Sequence, residues 1–296
     1  MPSQNAVRDS ITNRIIEALK AGTIPWRKPW TTIADPVRLP TNFVTKKAYQ
    51  GINVLLLWLT QQQRGYPISY WASYKAWEQV GAQVRRGEKA TNIVLWKPIE
   101  RIVEEDGEKK KQSFPILKTW PVFNITQVQG EVTEQFRPKP TDGVKINDVD
   151  RTDFDEAIQA TGADIRYGFN KAAYRLPPAD FIVMPNEESF ESFPAFAETL
   201  AHEVAHWSEV RTNWTGSYAE GELRAEITAS FVTSALGIPN CDETNHAAYV
   251  GSWLKALEDD PKHIFKAAKS ASVAADFILS FSQREEVVSE ELVEMV

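Results

Sequence analysis

Ala201-His202-Glu203-Val204-Ala205-His206-Trp207 sets two histidines four residues apart around a glutamate. On an α-helix, residues at that spacing stand one above the other on the same face. Both imidazoles then reach one small cation, with Glu203 beside them. Zinc accepts neutral imidazole, and a hydrolytic site keeps one position open for water. A carboxylate next to the first ligand is placed to take a proton from that water. The flanks have helical pattern: Phe196, Leu200, Val204 and Trp207 recur at helical spacing, and Pro194 suits a first turn. The stretch therefore predicts one divalent cation per chain, Zn2+ or another, on His202 and His206, with Glu203 as general base.

Such a site needs a third protein ligand. Tyr218 to Leu236 reads as a second helix, ended by Gly237 and Pro239. Its apolar face carries Leu223, Ile227 and Phe231, with Glu222 and Glu226 next to it. A carboxylate packed beside an apolar face needs a partner. Glu226, flanked by small Ala225, Ala229 and Ser230, is the preferred ligand. Glu222 then orients an imidazole from behind, and the reverse assignment stays open. A third helix begins near Asn245, where Tyr249, or His246 in its place, is set to donate to an oxyanion. His263 reads as a surface residue, and the acidic tail from Arg284 as loosely ordered. Before the histidine helix, a helix near 151–161 and short strands near 164–167, 173–175 and 180–184 predict a small sheet. An extended peptide can add to such an edge through backbone bonds.

The net charge of −7 over 296 residues hides an asymmetry. Residues 1–130 hold 19 Lys+Arg against 10 Asp+Glu, and the remainder holds 14 against 30. A basic half beside an acidic half points to two domains with different partners. No apolar run is long enough to span a membrane, and the N-terminus lacks the pattern of a signal peptide. Cys241 is alone, which excludes an intrachain disulfide. The expected compartment is the cytoplasm.

The basic half interleaves cations with aromatics. A helix near 5–21 precedes Pro25-Trp26-Arg27-Lys28-Pro29-Trp30, an apolar helix spans 52–62, and strands near 90–97 and 114–124 flank a charged hairpin tip. Seven of the ten tryptophans lie here. Bases stack on aromatic rings and phosphates pair with Lys and Arg, whatever the nucleotide sequence. Trp26, Arg27, Lys28, Trp30, Lys46, Lys47, Tyr49, Arg85, Arg86 and Lys89 are therefore the candidates for a single-stranded-DNA groove. The competing reading places most of these aromatics in the core. Residues 131–149 are polar, with Pro138, Pro140 and Gly143, and read as a linker. The expectation is an α+β chain: a DNA-binding domain over 1–130, a linker over 131–149 and a domain bearing the metal helix over 150–296.

With these residues on the page, the chain resembles the plasmid antirestriction protein ArdC and its relatives. The matching stretches are Pro25–Trp30, Tyr49-Gln-Gly-Ile-Asn53, Gly87-Glu-Lys-Ala90, Val122-Phe-Asn-Ile-Thr-Gln127, Leu200–Trp207, Glu222-Leu-Arg-Ala-Glu226 and Ala248-Tyr-Val-Gly-Ser-Trp253. The resemblance implies a single-stranded-DNA-binding domain, also found in TraC-type conjugative primases, joined to a zincin-like metallopeptidase domain. It implies a role in conjugation, shielding incoming plasmid DNA from restriction. Carried over by position, metal ligands fall on His202, His206 and a downstream glutamate, and the base on Glu203. A host protein, which the resemblance does not name, is a candidate substrate for the peptidase site. The alternative is a DNA-protecting binder whose metal site is structural or regulatory.

Overall fold

The computed structural model describes residues 3–27, 39–105, 108–134, 136, 149–239 and 247–293, with backbone alone for 98–105, 108–115, 247–249 and 283–293. Lys28, Trp30 and His246 lie outside the described residues, and so does the side chain of Tyr249.

The basic half opens with α1 (Gln4–Lys20), whose Ser3 hydroxyl accepts from the Ala6 amide at 3.1 Å. A side-chain acceptor there satisfies one of the free amides of a first turn. The apolar helix is α2 (Ile52–Arg64). Gly51, at its start, has φ +58°, a conformation that suits residues without a Cβ. Strands β1 (Thr41–Asn42), β2 (Tyr70–Ala72), β4 (Thr91–Glu105) and β5 (Glu108–Asn124) form one sheet in the order β1-β2-β5-β4. β1 runs parallel to β2, and the other neighbours are antiparallel. Helix α3 (Tyr74–Gln79) and the small pair β3 (Gln83–Val84) and β6 (Val128–Gln129) complete this half.

β4 is an edge strand, and an unpaired edge invites foreign pairing. Here Asn53 of α2 covers it. Its side-chain amide donates to the Val94 carbonyl at 2.8 Å and its amide oxygen accepts from the Val94 N–H at 2.8 Å. The β4–β5 ribbon runs on past the expected strands, to a Glu105–Glu108 pair.

The acidic half follows α4 (Glu131–Glu134). Phe136 packs edge-on to Phe43 and Tyr70. Val132 and Phe136, within the expected linker, pack against the small core cluster of the first half. Then come α5 (Thr152–Ala160), β7 (Ile165–Arg166), β8 (Ala173–Arg175), β9 (Phe181–Val183), α6 (Phe193–Arg211), α7 (Tyr218–Ala235), α8 (Ala247–Asp259) and α9 (His263–Val293). The sheet order is β7-β9-β8, so β8 is an edge. The long α9 replaces the loosely ordered tail expected from its charge. His263 is buried at its start, against the expectation of a surface residue.

The halves share a core. Val7, Ile15, Leu19, Trp26, Leu55 and Trp58 belong to the same buried cluster as Phe196, Leu200, Phe231, Trp253 and Ile278. Trp26 meets Trp253 edge-on at 5.1 Å, and Trp58 meets Phe231 at 5.7 Å. The Gly51 N–H donates to Ser272 Oγ of α9 at 2.8 Å. No helix among the described residues is long and apolar enough to cross a membrane.

Candidate metal centre

α6 is set by its ends and its small residues. Ser192 accepts from the Ala195 amide at 3.4 Å, and Pro194 sits in the first turn. Phe196, Leu200, Val204 and Trp207 are buried, and buried Ala197, Ala201 and Ala205 keep the helix surface low. α7 crosses it on Gly221, Ala225 and Ala229, and a Cβ on Gly221 would stand 3.3 Å from Glu209 Oε1. The Ser217–Glu220 capping box fixes where α7 starts.

This crossing gathers the site. His202 and His206 bring their Nε2 atoms to 3.1 Å. Glu222 places Oε2 3.6 Å from His202 Nε2 and Oε1 3.6 Å from His206 Nε2. One ligand atom from each of the three lies within 4.8 Å of the others. Tetrahedral zinc, with bonds of about 2.0–2.2 Å, holds its ligand atoms roughly 3.3–3.5 Å apart. The donor set, two imidazoles and a carboxylate, is that of a hydrolytic zinc site.

The expected division between the two glutamates is reversed. Glu222 faces the convergent Nε2 atoms, while Glu226 Oε1 lies 3.6 Å from Nδ1, on the back of His202. Residues four apart differ by one helical turn and about 40° of rotation. In this crossing that turn puts Glu222 at the front. Glu209, which the sequence reading missed, does the same for the other ring: its Oε1 is 2.9 Å from His206 Nδ1. A carboxylate on Nδ1 holds that proton in place and leaves Nε2 free to ligate. The spacing of His206 and Glu209, three apart on one helix, was the available signal.

The electrostatics favour a cation. Burial works against charging His202, but Glu222, Glu226 and Glu203 outweigh it and push its pKa up to about 9. Burial would raise the Glu222 carboxyl, yet hydrogen bonds with His202 and Tyr218 hold it below its ordinary value. Tyr218, one turn before Glu222 on α7, is exposed and was also missed.

Glu203 is buried and its Oε2 accepts the Tyr174 amide of edge strand β8 at 2.6 Å. That strand is clasped to the end of α6. The Tyr174 hydroxyl donates to Asp180 Oδ1 at 2.7 Å, and Arg211 pairs with Asp180 Oδ2 at 2.7 Å. Beneath the histidines lies Arg224, almost wholly buried. It donates to the Ala205 carbonyl at 3.0 Å and to Ser208 Oγ at 2.9 Å, and sits 3.8 Å from Glu209. Desolvation lowers its pKa to about 10.

Among the described residues, the DNA-binding candidates differ in their surroundings. Trp26 is in the shared core and exposes no ring face. Arg27 is half-buried and reaches Glu198 of α6 at 3.3 Å. Tyr49 is half-buried, and burial pushes its hydroxyl up to about 12. Arg85 ties its own loop: it pairs with Glu88 at 2.8 Å and donates to the Thr126 carbonyl. Lys46 lies over the Phe43 ring at 4.1 Å, while Lys47, Arg86 and Lys89 are exposed. The solvent-facing tryptophans among the described residues are others, Trp96 and Trp120 on the ribbon.

Comparison with known proteins follows the same division. Residues 5–123 match a family model described as the N-terminal domain of anti-restriction factor ArdC, and residues 152–270 one described as a zincin-like metallopeptidase. The crystal structure of the antirestriction ArdC protein from plasmid R388, metal-free, is 39% identical with TM-score 0.75, covering 94% of this chain and 98% of that one. Its Mn(II)-bound form is 36% identical with TM-score 0.71, covering 93% and 97%. Two proteins named DNA primase TraC from Escherichia coli are 34% and 35% identical over 96% and 94% of this chain. The chain spans only 20% and 27% of their length.

Proposed function

The chain belongs to the ArdC antirestriction family, and from that premise we propose that it binds single-stranded DNA, protects incoming conjugative plasmid DNA from restriction, and carries a hydrolytic metal site in its acidic half. The observation that carries the hydrolytic part is the convergence of His202 Nε2, His206 Nε2 and Glu222 within 4.8 Å, with Glu203 on the adjoining helix face. The basic charge of residues 1–130 and the relation to TraC primases support the nucleic-acid part.

His202, His206 and Glu222 would hold the divalent ion, Zn2+ or Mn2+, with Glu226 and Glu209 orienting the rings from behind. When bound, the ion would supply electrophilic activation of a carbonyl and acidify water at that point. Glu203 takes a proton from the attacking water and passes it to the leaving amine. The Tyr174 amide keeps the Glu203 carboxylate in one orientation during both transfers. Tyr218, exposed and hydrogen-bonded to Glu222, would steady a developing oxyanion, a role in which Tyr249 was the sequence candidate. The β8 edge beside Glu203 suits an extended polypeptide, which would use backbone groups of that strand other than the Tyr174 N–H, already given to Glu203.

The test is Glu203→Gln, read in two assays. The variant binds Zn2+ or Mn2+ as the parent does, while cleavage of an unstructured protein substrate falls by about 10²–10⁴-fold. Unchanged cleavage refutes the base assignment. Plasmid protection in a restricting recipient is scored on the same variant. Protection that survives, together with normal metal binding, favours a binder whose metal site is structural or regulatory.

A further inference from the structure

We propose that single-stranded DNA lies on one defined face of the β4–β5 ribbon, with Trp120 as its stacking platform and Lys97 and Lys118 as its phosphate contacts. This rests on the nucleic-acid reading above and places it on residues that the sequence candidates did not include.

The register fixes the face. Ile93 pairs with Trp120, Leu95 with Lys118 and Lys97 with Ile116. Directly opposed residues share a side of the sheet, and alternate residues along a strand return to it. One side of the ribbon therefore presents Ile93, Leu95 and Lys97 with Trp120, Lys118 and Ile116. At its root this face is closed: Ile93 and Val122 are buried with Trp71 and Leu57. Farther out it opens. Trp120 is 49% exposed and Leu95 43% exposed, and Lys97 and Lys118 are both exposed. Neither lysine makes an ion pair among the described residues. Residues 91–99 and 114–124 contain no Asp or Glu.

Trp96 is different, although its exposure is similar. It lies on the opposite side with Leu117. Val94 and Leu117 of that side enter the shared core, and the Arg8 guanidinium of α1 covers the Trp96 ring at 5.4 Å. Trp96 has a partner within the chain, and among the described residues no ring or cation contact covers Trp120.

An indole with two exposed lysines farther out along the same face, on strand segments that carry no acid, matches a strand whose bases are unpaired. The ring offers its face to a base, and the ammonium groups offer charge to the backbone. A duplex keeps its base faces stacked inside and would use only the lysines. A protein partner would gain from Trp120 and Leu95 but would not need an acid-free surface.

The experiment measures binding of the full chain to fluorescently labelled oligo-dT across a salt series, with a duplex as competitor. Trp120→Ala weakens binding roughly tenfold or more, and Trp120→Phe restores most of it. The Lys97→Ala/Lys118→Ala double variant lowers the slope of log affinity against log salt by about 1.4, from about 0.7 per single-strand contact. Trp96→Ala, on the opposite side, binds within twofold of the parent. Circular dichroism and metal binding report that each variant is folded. A parent that binds dT while Trp120→Ala and the double lysine variant match it in affinity and slope overturns this assignment alone. A duplex that competes as well as dT overturns the stacking role. A parent that does not bind dT overturns the nucleic-acid reading as a whole, and this surface with it.

Discussion

In the α6–α7 pair Glu203, Glu222 and Arg224 are 8%, 8% and 1% exposed, while on the ribbon Trp96 and Trp120 stand 51% and 49% exposed. Burial ordinarily sorts these residue types the other way. In the helix pair every inward charge has a counterpart: Glu203 the Tyr174 amide, Glu222 two imidazoles, Arg224 a carbonyl, a hydroxyl and Glu209. On the ribbon no such partner covers the indole of Trp120 among the described residues. The difference teaches that polar groups inside must be answered by the fold itself, whereas an apolar ring outside can be left to an external molecule. By the proposals above, a cation would complete the first region and a nucleic-acid strand the second.

The comparison breaks most severely at Arg224. Arg224→Ala strips the Ala205 carbonyl and Ser208 of their donor and leaves Glu209 without a nearby cation. Loss of one partner of a buried charged set costs about 3–5 kcal/mol. Urea unfolding of the two proteins measures it, and a change below 1 kcal/mol would show that the charges are not interlocked. A smaller effect separates the glutamates. Calorimetric titration with Zn2+ or Mn2+ should show Glu226→Gln weakened by about 10–100-fold, as for a group behind a ligand. Glu222→Gln loses more, and the opposite ranking would restore Glu226 as the ligand. The smallest effect tests the ribbon's support. Asn53→Ala removes both bonds to Val94 and should cost about 1–2 kcal/mol, because water replaces part of what is lost. Amide exchange at Val94 then accelerates, while metal affinity stays at the parent value.

Much of the fold could be read before any coordinates. The helices at 4–20, 52–64, 193–211 and 218–235 follow periodicity, caps and glycine stops within a few residues, and the ribbon's strands follow their apolar runs. His202, Glu203 and His206 were legible because their spacing is a property of one helix. What was not legible depends on how elements meet. Glu222 and Glu226 share one helix, and only its rotation against α6 decides which of them faces Nε2. Trp26 sits in a basic, proline-flanked segment that reads as surface, yet its ring meets Trp253, more than two hundred residues away. Charge asymmetry suggested two separable modules because charge reports on surfaces and says nothing of what lies between them. α9 went unread although Ile264, Ala268, Ala271, Ala275 and Ile278 recur at helical spacing, because a stripe made mostly of alanine is a weak apolar signal.

That common interior has a genetic consequence. Scissors placed anywhere in 131–149 would leave Ile15, Leu19, Trp26 and Leu55 on one fragment and Phe231 and Trp253 on the other, each with a raw apolar wound. Fragments of that kind aggregate instead of reporting on a single activity. A shared interior is consistent with both halves being matched together, in the same order, by much larger primases.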